Sequence, residues 1–455
     1  TQVADMVQEV YPARIQLFTD ILGIMENIAN ADPDAAVKLA STMKSLNNAL
    51  KKNQGMVEGL QKSDIIERKQ ALEKEMLAHA QKTGKDAKIL DELEAIRLES
   101  REQWFARMAE SFGRFLVPGI GFSAWAYEYS TMKDKPEMER DLGFQDRDVN
   151  RMKQRNKQTQ RNLVLSAQKQ LLAYSFKQMA KLPAADQPEA YRALFVGKSA
   201  AEMDQAIDQW IESAFAKSQL QDLAYRESLL EKSTAELEAI DDPLLQYAIA
   251  RFKENKPFEE AQKTREGKLS VLRPAYIALL RDTMKAKGKA VYPDANSSLR
   301  ITFGTVKGYS PRDGVYHTPQ TSTRGLIQKE TGETPFRSPE PLLDLAQQKQ
   351  FGPYLDKKLG DVPVNFLGTC DITGGNSGSA TLDGQGRLVG LVFDGNYEAM
   401  SSDYDFDVDV TRSIHVDIRY ILWVMDAVDG AHNLLTEMGV QPHFKTAKAA
   451  TSGTP

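Results

Sequence analysis

A serine set among glycines carries the strongest chemical signal in this chain of 455 residues: Thr373-Gly374-Gly375-Asn376-Ser377-Gly378-Ser379-Ala380. Glycine on both sides of Ser377 lets the backbone aim two amide N–H groups and one hydroxyl at a single point. Acyl transfer to serine needs that arrangement. The hydroxyl attacks a carbonyl, and amides such as those of Gly375 and Ser377 receive the negative charge that develops on its oxygen. An α/β-hydrolase elbow fails here, because Ser379 stands where its second glycine belongs and the run Leu388 to Phe393 reads as strand rather than helix. A phosphate-binding loop fails too, since no Lys-Ser or Lys-Thr pair closes the glycines. A tight glycine-rich hairpin with an incidental serine stays open as the plain alternative.

Other candidates for chemistry are weaker. Asp403, Asp405, Asp407 and Asp409 alternate with Tyr404, Phe406, Val408 and Val410, which would line four carboxylates along one face of a strand. Such a row spreads its oxygens too far apart for one calcium ion and reads as a solvated face. The basic run Arg151 to Arg161 reads as the exposed stripe of a helix. The histidines, His79, His317, His415, His432 and His443, match no general-base motif and read as structural or surface residues. The single cysteine, Cys370, excludes an internal disulfide and a four-cysteine zinc site. No metal or cofactor is implied.

The elements that must position the serine follow from composition and periodicity. A formal charge of −5 argues against a general nucleic-acid binder, and 41% apolar with 27% charged residues is the make-up of a chain that folds in water. The longest weakly polar run, Leu116 to Tyr127, is too short for a membrane span. Of 29 glycines, 11 lie in residues 1–290 and 18 in the last 165, so two architectures share the polypeptide. In the first part apolar residues recur at helical spacing, as in Ile15, Phe18, Leu22, Met25 and Ala29. Asp241, Asp242 and Pro243 suit a helix start, and Gly288 a helix end. After Tyr292-Pro293, period-two runs at Leu299 to Phe303, Val362 to Leu367, Arg387 to Phe393 and Tyr404 to Val410 predict strands joined by hairpins. A last helix is predicted over about Arg419 to Val428, continued by Leu434 to Met438. The fold class is α+β: a helical domain over 1–290, a β domain over 291–440 and a flexible tail over 441–455.

With elbow and phosphate loop set aside, Gly-x-Ser-Gly is the arrangement of chymotrypsin-like double barrels. Three separated stretches narrow this. They are Val364 to Leu367 running on through Asp371 to Ser379, then Gly390 to Glu398, then Val416 to Tyr420. Together with Phe303 to Asp313 and Arg140 to Asp148, they resemble the bacterial dipeptidyl-peptidase 7/11 family of serine exopeptidases. The resemblance implies a helical cap inserted into a chymotrypsin-like double β-barrel. It implies Ser377 as nucleophile, Asp394 as the counter-charge for the substrate's α-ammonium, and Asn48 as an amide that helps bind the same group. Without the resemblance, Asp394 would read as a turn residue and Asn48 as a solvated helical amide. Family members with a bulky apolar P1 residue carry glycine at the position matched by Gly395, so an apolar P1 is expected, an uncharged opening suiting such a side chain.

The family's catalytic His and Asp lie ahead of its helical insertion, and this sequence has no motif for them. The chain is therefore expected to be the C-terminal part of a longer protease. Its start at Thr1, without Met or a leader, reads as processed. The expected activity is release of dipeptides from free N-termini by an acyl-enzyme route. The expected partners are peptide substrates, with no nucleic acid and no membrane span. By resemblance the expected setting is a homodimer in the bacterial periplasm or at the cell surface. Two other readings stand beside it: a noncatalytic peptide-binding or scaffold protein, and a trypsin-like endopeptidase.

Overall fold

Apolar residues at three- and four-residue spacing give the N-terminal part long helices, each burying one face. The structure, a computed structural model, describes residues 2–62, 64–101, 117–291, 298–334 and 336–444. The chain forms two compact units, Thr1–Gln54 with Ile66–Val291, and Gly55–Ile65 with Tyr292–Pro455. In the first, helix Tyr11–Ala31 buries Leu17, Phe18, Ile21, Leu22 and Met25 against Leu39, Leu46 and Leu171. A larger core gathers Phe122, Phe176, Tyr191, Ile207 and Leu245. The signal read at Asp242-Pro243 is a true helix start. The Asp242 carboxylate accepts from the Leu244 and Leu245 amides, and helix Pro243–Ala286 runs from there to the left-handed Gly288 (φ 69°). Arg151, Arg155, Lys157 and Arg161 are exposed on helix Asp146–Arg161, while Asn156 is buried and accepts from Arg226. No described helix is long and apolar enough to cross a membrane.

Among the described residues the second unit holds seven strands: β1 (Tyr309–Arg312), β2 (Val315–His317), β3 (Gln320–Ser322), β4 (Pro363–Gly368), β5 (Ala380–Leu382), β6 (Leu388–Gly395) and β7 (Ser413–Asp417). β1 and β2 form a hairpin, and the others an antiparallel sheet in the order β3-β4-β7-β6-β5. Beside the sheet, Trp423 packs with Leu342, Phe351, Tyr354 and Val362. The molecule is thus largely helical with a small sheet portion. Helices Thr323–Lys329 and Glu340–Gln347 interrupt what the sequence suggested was hairpins alone.

Two predicted strands are absent. Leu299 to Phe303 has no ladder partner among the described residues, and its apolar side chains stand out from the surface, Leu299 at 91%, Ile301 at 81% and Phe303 at 90% exposure. Tyr404 to Val410 is a loop, so its aspartates do not line one strand face. Its carbonyls turn inward to Arg412. The Arg412 guanidinium has no solvent exposure and donates to five carbonyls, those of Lys307, Gly308, Val408, Asp409 and Thr411, at 2.7–3.1 Å. Residues 441–444, at the start of the predicted tail, are held in place. The buried Asp426 carboxylate accepts the His443 and Phe444 amides, which ties 441–444 down, and 445–455 lies outside the described residues.

At the centre of the sheet, the His415 ring stacks on Phe366 at 4.8 Å between centroids and 1° between planes. Ser413 spends its one hydroxyl proton on the Gly368 carbonyl (3.0 Å), so it accepts from His415 Nε2–H (2.8 Å). Nδ1 then accepts from the Thr381 hydroxyl (2.7 Å). This neutral tautomer is fully satisfied, and burial pushes the imidazole pKa down to about 4.

Two outcomes are expected. Arg412→Met leaves five carbonyls without their donors, each unsatisfied buried acceptor costing about 1–3 kcal/mol. The urea midpoint should therefore fall by an amount equivalent to roughly 3 kcal/mol or more, whereas an unchanged midpoint would show that the guanidinium does not hold these segments. His415 has a folded-state pKa below its unfolded value of about 6.5. The unfolded chain therefore binds the extra proton between pH 6.5 and 4, and stability is lost as pH falls through that window. His415→Gln should flatten the fall by at most about 1.4 kcal/mol per pH unit, read from unfolding midpoints at several pH values.

Candidate active site

The glycines around Ser377 are used as their positions suggested. Gly375 (φ 101°) and Gly378 (φ 85°) take left-handed backbone that side chains resist. Between them Asn376 closes the loop: its Oδ1 accepts the Thr373 amide at 3.0 Å, its own amide reaches the Thr373 carbonyl, and its carbonyl accepts from Ser379 at 2.9 Å. The loop is pinned to β6 by Gly378 N–H to the Val392 carbonyl (2.8 Å) and Val392 N–H to the Ser379 carbonyl (3.0 Å). Asp403 adds a tether, accepting from the Thr373 hydroxyl at 3.2 Å. Neither the Gly375 nor the Ser377 amide has an acceptor among the described residues, so both N–H groups are left for an incoming atom.

Ser377 is exposed, and its Oγ donates to the Phe393 carbonyl at 3.3 Å. That carbonyl sits at an irregularity of β6. Val392 pairs with His415 and Asp394 with Ile414, so Phe393 is the extra residue of a bulge. Asp394 follows directly, exposed, with Oδ1 accepting the Gly395 amide at 2.8 Å and no partner for Oδ2 among the described residues. A Cβ placed on Gly395 would stand 3.0 Å from the Ala399 Cβ. The structure therefore brings Ser377, Gly375, Asp394 and Gly395 together on one loop and one strand end. Asn48 is exposed on helix Pro33–Lys62 and belongs to the first unit.

No histidine among the described residues bonds Ser377. His415 is engaged through both ring nitrogens, and His432 Nε2 lies 3.1 Å from Asp426 Oδ1. No described cluster of His, Cys, Asp or Glu could hold a metal. Sequence reasoning missed the end of helix Pro33–Lys62, whose residues from Gly55 belong to the second unit. Glu58 accepts from the Tyr397 hydroxyl at 2.7 Å. Lys62 and then Tyr397 hold the Glu58 carboxyl below its usual range, and the same bond raises the Tyr397 phenol. The available signal was a pair of glycines, Gly55 and Gly59, four apart inside a helix, which marks a close approach of other backbone or side chains.

With this geometry in hand, known proteins are informative. The Asp/Glu-specific dipeptidyl-peptidase of Shewanella putrefaciens is 32% identical over 94% of this chain and 61% of its own length. Dipeptidyl-peptidase 7 of Porphyromonas gingivalis is 28% identical over 96% of this chain and 60% of its own. The crystal structure of Porphyromonas endodontalis DPP11 in complex with the dipeptide Arg-Asp superposes with a TM-score of 0.74 at 26% identity, covering 97% of this chain and 62% of that one. The chain spans about three fifths of the length of these relatives. A family model described as Peptidase S46 matches residues 1–440, and the chain belongs to that family.

Proposed function

We propose that this chain carries the nucleophile of a serine exopeptidase that removes dipeptides from the free N-termini of oligopeptides. The observation that carries the reading is the Ser377–Phe393 hydrogen bond, which sets an exposed hydroxyl one residue from the exposed Asp394 carboxylate. In this reading Ser377 Oγ attacks the second peptide carbonyl, the Gly375 and Ser377 amides take up the oxyanion, and Asp394 receives the α-ammonium. Asn48 assists at the ammonium. An α-amino group with a pKa near 8 is largely charged at neutral pH, and two residues span only about 7 Å, so a fixed carboxylate measures the dipeptide. The general base comes from residues outside those described, in keeping with relatives that are longer than this chain.

The P1 residue is proposed to be apolar. Gly395 offers no side chain to the pocket, and Arg412, whose carbonyl lies 3.8 Å from a Cβ placed there, has its guanidinium committed to five carbonyls. Among the relatives, the Shewanella enzyme is named as Asp/Glu-specific and the Porphyromonas gingivalis one as dipeptidyl-peptidase 7, so the names alone do not choose. The sheet is proposed to be part of a chymotrypsin-like double barrel, supported by the exposed apolar stripe Leu299, Ile301 and Phe303, which suits burial against further β structure. A homodimer in the periplasm or at the cell surface completes the proposal.

The test compares a fluorogenic dipeptide substrate with its N-acetylated form on the full-length protein. Loss of the ammonium, or Asp394→Asn, should cost roughly 2–5 kcal/mol in kcat/KM, since one member of a charge pair is left alone. Ser377→Ala should abolish turnover of the free-amine substrate. Equal cleavage of both forms would point to an endopeptidase, and no cleavage to a scaffold. Gly375→Ala, at a φ of 101°, should move its amide and lower kcat by about 10²–10³ with little change in KM.

A further inference from the structure

The short turn Tyr397–Ser401 is clamped from two sides. On one side the Ala399 methyl fills the space beside the Gly395 α-carbon, 3.0 Å from where a Cβ would begin. On the other, the end of helix Pro33–Lys62 closes against it. A Cβ on Gly55 would stand 2.7 Å from Met400 Cγ, and one on Gly59 would stand 2.7 Å from Ser401 Oγ, so only hydrogen fits at either position. The Tyr397–Glu58 hydrogen bond fixes the turn along the helix. Its start is fixed as well: buried Asn396 exchanges hydrogen bonds with the Arg412 backbone through its amide (2.9 Å) and Oδ1 (2.8 Å), and donates to the Val410 carbonyl. The turn therefore has no room to recede from Gly395.

We propose that Ala399 is a second specificity-determining residue, forming with Gly395 the wall that limits the P1 side chain. Gly55 and Gly59 are the positioning residues that set the distance of that wall. The inference rests on the reading of Gly395 as part of the P1 pocket. Glycine at 395 alone does not define an open pocket, because the size of the residue at 399 decides how much of the freed space remains. Each methylene gained or lost in such a pocket is worth about 10–200-fold in discrimination.

The experiment measures kcat/KM of the full-length protein on three free-amine dipeptidyl substrates differing only at P1: Ala, Leu and Phe. Ala399→Val should lower the Phe/Ala and Leu/Ala ratios by about 10–200-fold. Ala399→Gly should raise the Phe/Ala ratio, and it keeps the test open should the valine variant fail to fold. Gly59→Ala, which presses Ser401 and the turn toward Gly395, should shift the ratios in the same direction as valine. A merely structural role would lower all three substrates by one factor, and constant ratios across these variants overturn the proposal. Wild-type protein that cleaves none of the three overturns the exopeptidase reading, and this inference with it.

Discussion

The five N–H groups of the Arg412 guanidinium meet five carbonyls, a one-to-one match of donors to acceptors on a side chain with no solvent exposure. No carboxylate takes part in those bonds, and the charge is solvated by oriented carbonyl dipoles, with the Tyr309 ring 5.7 Å away. Irregular backbone can be buried only if its polar groups find partners. Arg412 supplies them for both 307–308 and 408–411, so two stretches with no ladder of their own become part of one unit. Its own amide and carbonyl meanwhile hold Asn396, the residue that follows Asp394-Gly395. The strand end that carries the candidate carboxylate is thus fixed by a buried cation.

A second constraint acts on the serine side. The loop from Thr373 to Ser379 has little regular structure, yet a few hydrogen bonds tie it to itself and to β6. Asn376 satisfies the loop internally, Val392 receives and returns bonds at Gly378 and Ser379, and Asp403 holds Thr373. Among the described residues the loop amides left without an acceptor are those of Gly374, Gly375 and Ser377, in a stretch whose Gly375 and Gly378 take left-handed backbone. Exposed on a structural hairpin, such donors would simply bond water. Beside a nucleophile they are electrostatic stabilisation already in place.

Much of this was legible in the sequence where the determining forces are local. The caps at Asp242 and Gly288, the strands at Val362 to Leu367 and Leu388 to Phe393, and the glycines flanking Ser377 depend on residues within a few positions of one another. The failures are non-local. A period-two pattern says that a segment would suit a strand, but only a neighbouring ladder makes it one, and Leu299 to Phe303 has none among the described residues. At Tyr404 to Val410 the alternation of aspartate with apolar residues was read as a strand face, while the backbone answered to Arg412 instead. The placing of Gly55–Ile65 in the second unit was hinted at only by Gly55 and Gly59, for the same reason. That placing depends on Met400, Tyr397 and Ser401, more than 300 positions away.

How a site of this kind would count residues follows from covalent geometry. Ser377 is tied to the Phe393 carbonyl, and Asp394 is the next residue on the same strand. The separation between the proposed nucleophile and the proposed ammonium receptor is therefore set by one hydrogen bond and one peptide unit, not by the closing of a mobile element. The bulge at Phe393 matters here, since without the extra residue strict alternation would carry the side chains after it to the opposite face of the sheet. A ruler built this way is short and stiff. Under the proposed function it would favour a fixed product length whatever the side chains of the peptide, and would leave the choice of side chain to the separate wall proposed at Gly395 and Ala399.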